Sequence, residues 1–257
     1  MTKKILKNKP LVEAIFELRW ELQRLESGMM VDPKYKVLVG RIYDRIKDDY
    51  PYYEQLPTAN IPDEAAAYVV QHRFRKKKND WPLIQIGPGI ITVNDTENYD
   101  WEDFKDRIKK IINVLFESYI DTENSLKISS LILRYIDAIE FDYNKDNILF
   151  FLKDNFKIDL SVYDKLFEET GVENSPVGID MKLSYRASKP KGLITLRFVR
   201  GEVRNSESLI WETLFQSFGE DVPKTIDTII EWCNQGHDLT DNWFFKLIEG
   251  DLRRRFE

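Results

Sequence analysis

Leu11-Val12-Glu13-Ala14-Ile15-Phe16-Glu17-Leu18-Arg19-Trp20-Glu21-Leu22 decides how the rest of the chain reads. Val12, Ala14, Phe16, Leu18, Trp20 and Leu22 fall on one side of a two-residue repeat, and Glu13, Glu17, Arg19 and Glu21 fall on the other. That period belongs to a strand with one buried and one polar face. Gly28 breaks the pattern, and Asp32-Pro33 supplies a cap and a first-turn proline for a helix. Tyr35, Leu38, Val39, Ile42, Tyr43 and Ile46 then recur at helical spacing as far as Pro51. Residues 52–62, with Pro57 and Pro62, read as loop. Strands are expected at 66–74, 83–86 and 90–93, joined by a Lys76–Asp80 turn and by Gly87-Pro88-Gly89. A helix begins at Tyr99 or Asp100, with Trp101, Phe104, Ile108, Ile111, Ile112, Leu115, Phe116 and Tyr119 as its stripe.

The same course runs again from residue 128. Leu131, Leu133, Tyr135, Ile139 and Phe141 alternate with Ile132, Arg134, Ile136 and Glu140, an expected central strand. A short helix is read at 144–154, and residues 157–175 show no clear pattern. Strands follow at 179–187, 193–203 and 209–218. Asp221 is read as the cap of a long final helix with Val222, Ile226, Ile229, Cys233, His237, Thr240, Phe244 and Leu247 on one stripe, ending at Gly250. Gly236 inside it costs about 1 kcal/mol relative to alanine. The expected fold is α+β: a duplicated β-α-β-β-β-α unit, residues 1–124 and 125–257, whose antiparallel sheet or sheets pack on long helices. The element order resembles helix-grip and TATA-binding-protein-like folds with a pseudo-twofold.

Composition bounds the function. Net charge is −6 with the signs interspersed, which disfavours general affinity for nucleic acid or an anionic membrane. The 257 residues hold two histidines and one cysteine, too few for a usual His/Cys metal site and for any intrachain disulfide. No metal and no cofactor is expected. Residues 1–7 lack the apolar stretch of a signal peptide, and no run reaches the ~18 residues of a membrane span. The expectation is a cytoplasmic protein.

Several clusters are candidate sites. Glu13, Glu17 and Arg19 share a strand face; with Arg134 and Asp137 nearby they would form a polar binding site. Cross-strand ion pairing on a wet face is the commoner reading of such a set. Arg73, Arg75, Lys76, Lys77 and Lys78, beside His72, Phe74 and Trp81, would grip phosphates and stack bases. The commoner reading is a solvated hairpin tip whose lysines deter strand pairing. His237 joins the binding candidates through its place on the final stripe, although such histidines are more often satisfied packing residues. Cys233 lies four residues before it, which a thiol nucleophile and its base would need, but a buried inert cysteine is commoner. Gly87-Pro88-Gly89 lacks the Gly-Lys-Ser/Thr of a phosphate loop and reads as a turn. No catalytic residue is assigned.

Pro10-Leu11-Val12-Glu13-Ala14-Ile15-Phe16-Glu17-Leu18-Arg19, Ile84-Gln85-Ile86-Gly87-Pro88-Gly89, Tyr99-Asp100-Trp101-Glu102-Asp103-Phe104, Leu133-Arg134-Tyr135-Ile136-Asp137, and His237 with Phe244-Phe245-Lys246-Leu247-Ile248 follow one another along nearly the whole chain. Together they resemble a sporadically distributed prokaryotic family of about this length to which no activity is assigned. Residues 157–175 show no family pattern. Patchy distribution marks accessory genes, such as those in mobile-element or phage-defence neighbourhoods, so the resemblance implies an accessory role and carries no catalytic residues over to this chain. The leading expectation is a non-catalytic binding or interaction module that works through a protein partner or as a homo-oligomer. The alternatives are a small-molecule binder with a pocket between the sheet and the final helix, and a nucleic-acid-associated protein using the 73–78 hairpin.

Overall fold

A computed structural model describes residues 6–96, 98–119 and 126–257 of the chain. Its strands and helices are β1 (Leu11–Trp20), β2 (Gln23–Arg24), β3 (Met30–Val31), α1 (Tyr35–Ile46), β4 (Tyr52–Gln55), β5 (His72–Arg75), β6 (Leu83–Gly87), β7 (Ile90–Asp95), α2 (Trp101–Ser118), β8 (Ile128–Glu140), α3 (Ile148–Phe156), β9 (Asp180–Ser188), β10 (Lys191–Val203), β11 (Ser206–Phe218), α4 (Ile226–Leu247) and α5 (Asp251–Phe256). Nine strands form one continuous sheet in the order β4-β5-β6-β7-β1-β8-β11-β10-β9, and β2 and β3 form a separate ribbon. All pairs in the sheet are antiparallel. The fold is therefore α+β with a large antiparallel sheet. The expected division between residues 124 and 125 lies outside the described residues, as do residues 1–5 of the segment read as lacking a signal peptide.

Alternation in β1 and β8 builds the core. Phe16 stands opposite Leu133, and Leu18 opposite Leu131. On this face they meet Leu38 and Ile42 of α1, Phe104, Ile108 and Ile112 of α2, and Ile229 and Trp232 of α4 in one buried cluster. A second cluster joins Phe198, Leu209 and Trp211 of the sheet to α3, α5 and the end of α4. All five α-helices of the described residues thus pack on the same side of the sheet, and none of them lies on the other.

Several boundaries differ from the sequence reading. Residues 52–55, read as loop, form the edge strand β4, held by Tyr53 opposite Phe74 and Glu54 opposite Arg73. Four residues are too few for a period to show, and the pairing is non-local. The strand expected at 66–74 forms only from His72. Before it Tyr68 takes a positive φ of 59° and Val69 N–H bonds back to Ala66. Thr225, not Asp221, caps α4, in a capping box with Thr228. Val222 is extended at ψ 127°, as the residue before Pro223 is driven to be, so the helix cannot start at Asp221. The short helix starts at Ile148, where Asn147 caps it, not at 144. In residues 157–175 the one helical piece is a 3₁₀ turn, Asp164–Leu166, followed by a turn at 167–170.

Gly236 acquires a reason. It lies on the buried face of α4, and a Cβ there would sit 3.1 Å from both Leu133 Cδ1 and Phe215 Cδ1. The missing side chain lets α4 lie directly on β8 and β11. At this point the space between sheet and final helix, where the pocket was expected, is filled by side chains.

Candidate functional site

The helix-free face of the sheet gathers most of the polar candidates. Strand parity puts Glu13, Glu17 and Arg19 of β1 there, with Arg134 of β8 between them and Glu212 of β11. Reading outward in one direction, Glu13 accepts a 2.7 Å hydrogen bond from Asn94 Nδ2. Asn94 Oδ1 accepts from Thr92 Oγ1 at 2.6 Å and from Gln85 Nε2 at 3.4 Å. Gln85 Oε1 accepts two bonds from Arg73, at 3.0 and 3.2 Å. Arg73 and Arg75 both meet Glu54 Oε2 at 3.4 Å. In the other direction, Arg134 Nε lies 3.4 Å from Glu212 Oε1, and Glu212 stands opposite Arg197. Arg197 grips Asp180 with two bonds, at 2.8 and 3.0 Å. The result is a polar stripe from Glu54 on one edge strand to Asp180 on the other, with a member on every strand of the sheet: charges of both signs, joined over β6 and β7 by the neutral Gln85 and Asn94.

Electrostatics follow from the placement. Burial raises the Glu13 carboxyl above its ordinary value, while the Asn94 bond and the Arg134 and Arg73 guanidiniums pull it down. Half-buried Ile15, Ile136, Ile210 and Leu214 sit among the charges on the same face. Glu17 is paired with Arg19 at 2.6 Å, and Arg19 lies over the Tyr68 ring. Such a surface is broad, amphipathic and close to charge balance, and it concentrates no single sign of charge.

The structure separates Asp137 and His237 from this set, and both lie on the helix side. Arg134 and Asp137 are three residues apart, so a regular strand sends them to opposite faces. Asp137 stands opposite Trp211, is 2% exposed, and its carboxyl is pushed up to about 8 by burial. Its Oδ2, Trp211 Nε1 and Thr213 Oγ1 are buried with no hydrogen-bond partner among the described residues. His237 stacks on Trp101 with centroids 3.9 Å apart, and its Nδ1 lies 3.1 Å from the Tyr135 hydroxyl. Tyr135 in turn meets Tyr99 at 3.2 Å. Tyr99, Trp101 and Tyr135 were missed as partners of His237 because they come from the α2 entrance and from β8, far away in the chain.

The basic hairpin divides as well. Arg73 and Arg75 are consumed by Glu54, Gln85 and the Asp80 carbonyl, and Arg75 lies over Trp81. Of the five cations, only Lys76, Lys77 and Lys78 are exposed, at the tip. Phe74 is fully buried and stacks on Tyr43, so no base can reach it. His72 is held by Tyr53 at 2.7 Å, and burial lowers its pKa. Cys233 is fully buried, and burial pushes its thiol up, opposite to the shift an activated nucleophile needs. Among the described residues no cluster of His, Cys, Asp and Glu is arranged to hold a metal, and no helix is long and apolar enough to cross a membrane.

No protein-family model matches the chain, and no curated protein matches it either.

Proposed function

We propose that the chain is a non-catalytic interaction module whose working surface is the helix-free face of the sheet and whose partner is a protein. The observation that carries this reading is the stripe from Glu54 to Asp180. Charges of both signs run across it, linked over β6 and β7 by the neutral Gln85 and Asn94, with aliphatic side chains between them. A protein surface offers both signs and apolar contact; DNA or RNA offers phosphates, which need an excess of cations. The exposed cations of the 76–78 tip supply that excess only locally, and the net charge of −6 opposes it.

The duplicated unit belongs to the same reading. Each half runs strand, helix, meander, helix, although the first meander has four strands, β4 to β7, and the second three, β9 to β11. The first strand of each half, β1 or β8, lies at the sheet centre and pairs with the last strand of its own meander, β7 or β11. This arrangement supports two copies of one unit, residues 1–124 and 125–257, related by a pseudo-twofold between β1 and β8. It would give the partner a surface twice as wide as one unit presents. The family resemblance adds an accessory role in a prokaryote, and the single cysteine fits a reducing cytoplasm.

The test is affinity purification with in-cell cross-linking in the native host, comparing wild type, Arg134→Glu/Arg197→Glu and a matched helix-side control, Lys109→Glu/Lys246→Glu. A protein held by wild type and by the control but lost by the open-face variant supports the reading. Leu214→Asp, an aliphatic change on the same face, should lose it too. Partners indifferent to all the open-face substitutions overturn the reading. Circular dichroism establishes that each variant is folded.

A further inference from the structure

The two edges of the sheet are treated differently. β4 is four residues long, which blunts it as a template. β9 is nine residues long, with no proline or register shift, and it faces solvent along most of its length. Among the described residues its backbone bonds only to β10, so the outward N–H and C=O groups of a long strand stand unpaired. On the helix side, Met181, Leu183 and Tyr185 continue the apolar surface past the flank of α4. Leu183 is 37% exposed and Tyr185 49%, with Tyr185 set edge-on to Trp243 at 5.6 Å. On the open side the strand shows Asp180, Lys182, Ser184 and Arg186.

We propose that β9 pairs antiparallel with β9 of a second copy of this chain, about a twofold that passes through Leu183. The sequence selects that register. With Leu183 opposite itself, Asp180 faces Arg186 of the other copy, Lys182 faces Ser184, and Met181 faces Tyr185. Opposite charges and apolar pairs are then matched on their own faces. Centring on Ser184 would set Lys182 against Arg186, and centring on Lys182 would set two lysines together, both repulsive. Centring on Tyr185 carries Asp180 past the end of the partner strand. A twofold normal to the sheet keeps both sets of helices on one side and sets each Tyr185, beside its Trp243, across the joint from Met181 of the other copy. The two open faces become one surface of eighteen strands, twice the nine of one copy. The inference concerns the edge and not the face, so its failure leaves the proposed partner surface standing.

Sedimentation equilibrium of the full chain over a concentration series, followed by mild oxidation of Leu183→Cys and Ser184→Cys, tests this. The expected result is a mass of two chains, with rapid disulfide dimer formation by Leu183→Cys and none by Ser184→Cys. Directly opposed Cα atoms lie about 4.5–5.5 Å apart, within disulfide reach. In this register the two Ser184 positions are offset by two residues on each strand, roughly 8 Å apart and out of reach. The native Cys233 is buried and does not compete. A monomer mass throughout the series overturns the proposal. So does a dimer that Leu183→Cys fails to trap, or one that Ser184→Cys traps instead.

Discussion

Asp137→Asn should stabilise the protein at neutral and alkaline pH, by an amount that grows with pH. Asp137 sits on the helix side of β8, 2% exposed, with one carboxyl oxygen unpartnered. Burial raises its pKa from 3.8 to about 8. In the unfolded chain it titrates near 3.9. Above that value the unfolded state releases the proton and the folded state keeps it, so the unfolded state binds fewer protons and stability falls as pH rises. The fall continues to the folded pKa, about 8, and then stops. Between about pH 5 and about pH 8 the group spans about three units at ~1.4 kcal/mol each, a ceiling of about 4 kcal/mol. Water entry and side-chain rearrangement around the ionised form relieve part of this, and about 2 kcal/mol is the expected change. The assay is urea unfolding of wild type and Asp137→Asn, followed by tryptophan fluorescence, across that pH range. The two proteins differ in one titrating group, so the difference between their stabilities isolates it. The variant should gain on the wild type steadily up to about pH 8 and hold its advantage above it. A difference that stays flat with pH would refute the reasoning, because Asp137 would then have the same pKa folded and unfolded.

Gly87→Ala should lose about 2–3 kcal/mol in the same unfolding assay, since its new Cβ would lie 1.9 Å from the Val69 carbonyl oxygen and backbone must move; a loss under ~0.5 kcal/mol would show that the 66–70 segment yields freely. Thr225→Ala should cost about 1 kcal/mol by removing the α4 capping box, and Thr225→Ser should restore most of it. Cys233 should resist a thiol reagent in the native protein and react fully in urea, and fast native labelling would show that α4 opens locally.

The two-residue period of β1 and the helical stripes of α1, α2 and α4 were legible because burial repeats at the local period of each element. The same period could have separated Arg134 from Asp137, since three residues along a strand reverse the face. By contrast, nothing in the sequence of residues 52–55 marks them as a strand. β4 exists because β5 offers it a ladder, and that partner is not local. The cost assigned to Gly236 within its helix is repaid by close contact with Leu133 and Phe215, residues over a hundred and about twenty positions away.

The candidate site divides along the same line. Sequence alone determined which residues of each strand are polar, the order of elements, and the class of the fold, because these depend on neighbours two to four positions apart. Only the tertiary structure decided that Glu13, Arg134, Glu212 and Arg197 lie in one stripe, that Arg73 and Arg75 are spent on Glu54 and Gln85, and that Asp137 is buried. It also left β9, and not β4, as the long open edge. Those outcomes depend on strand order and register, which are set by how the buried faces of distant segments fit together and not by the period of any one of them.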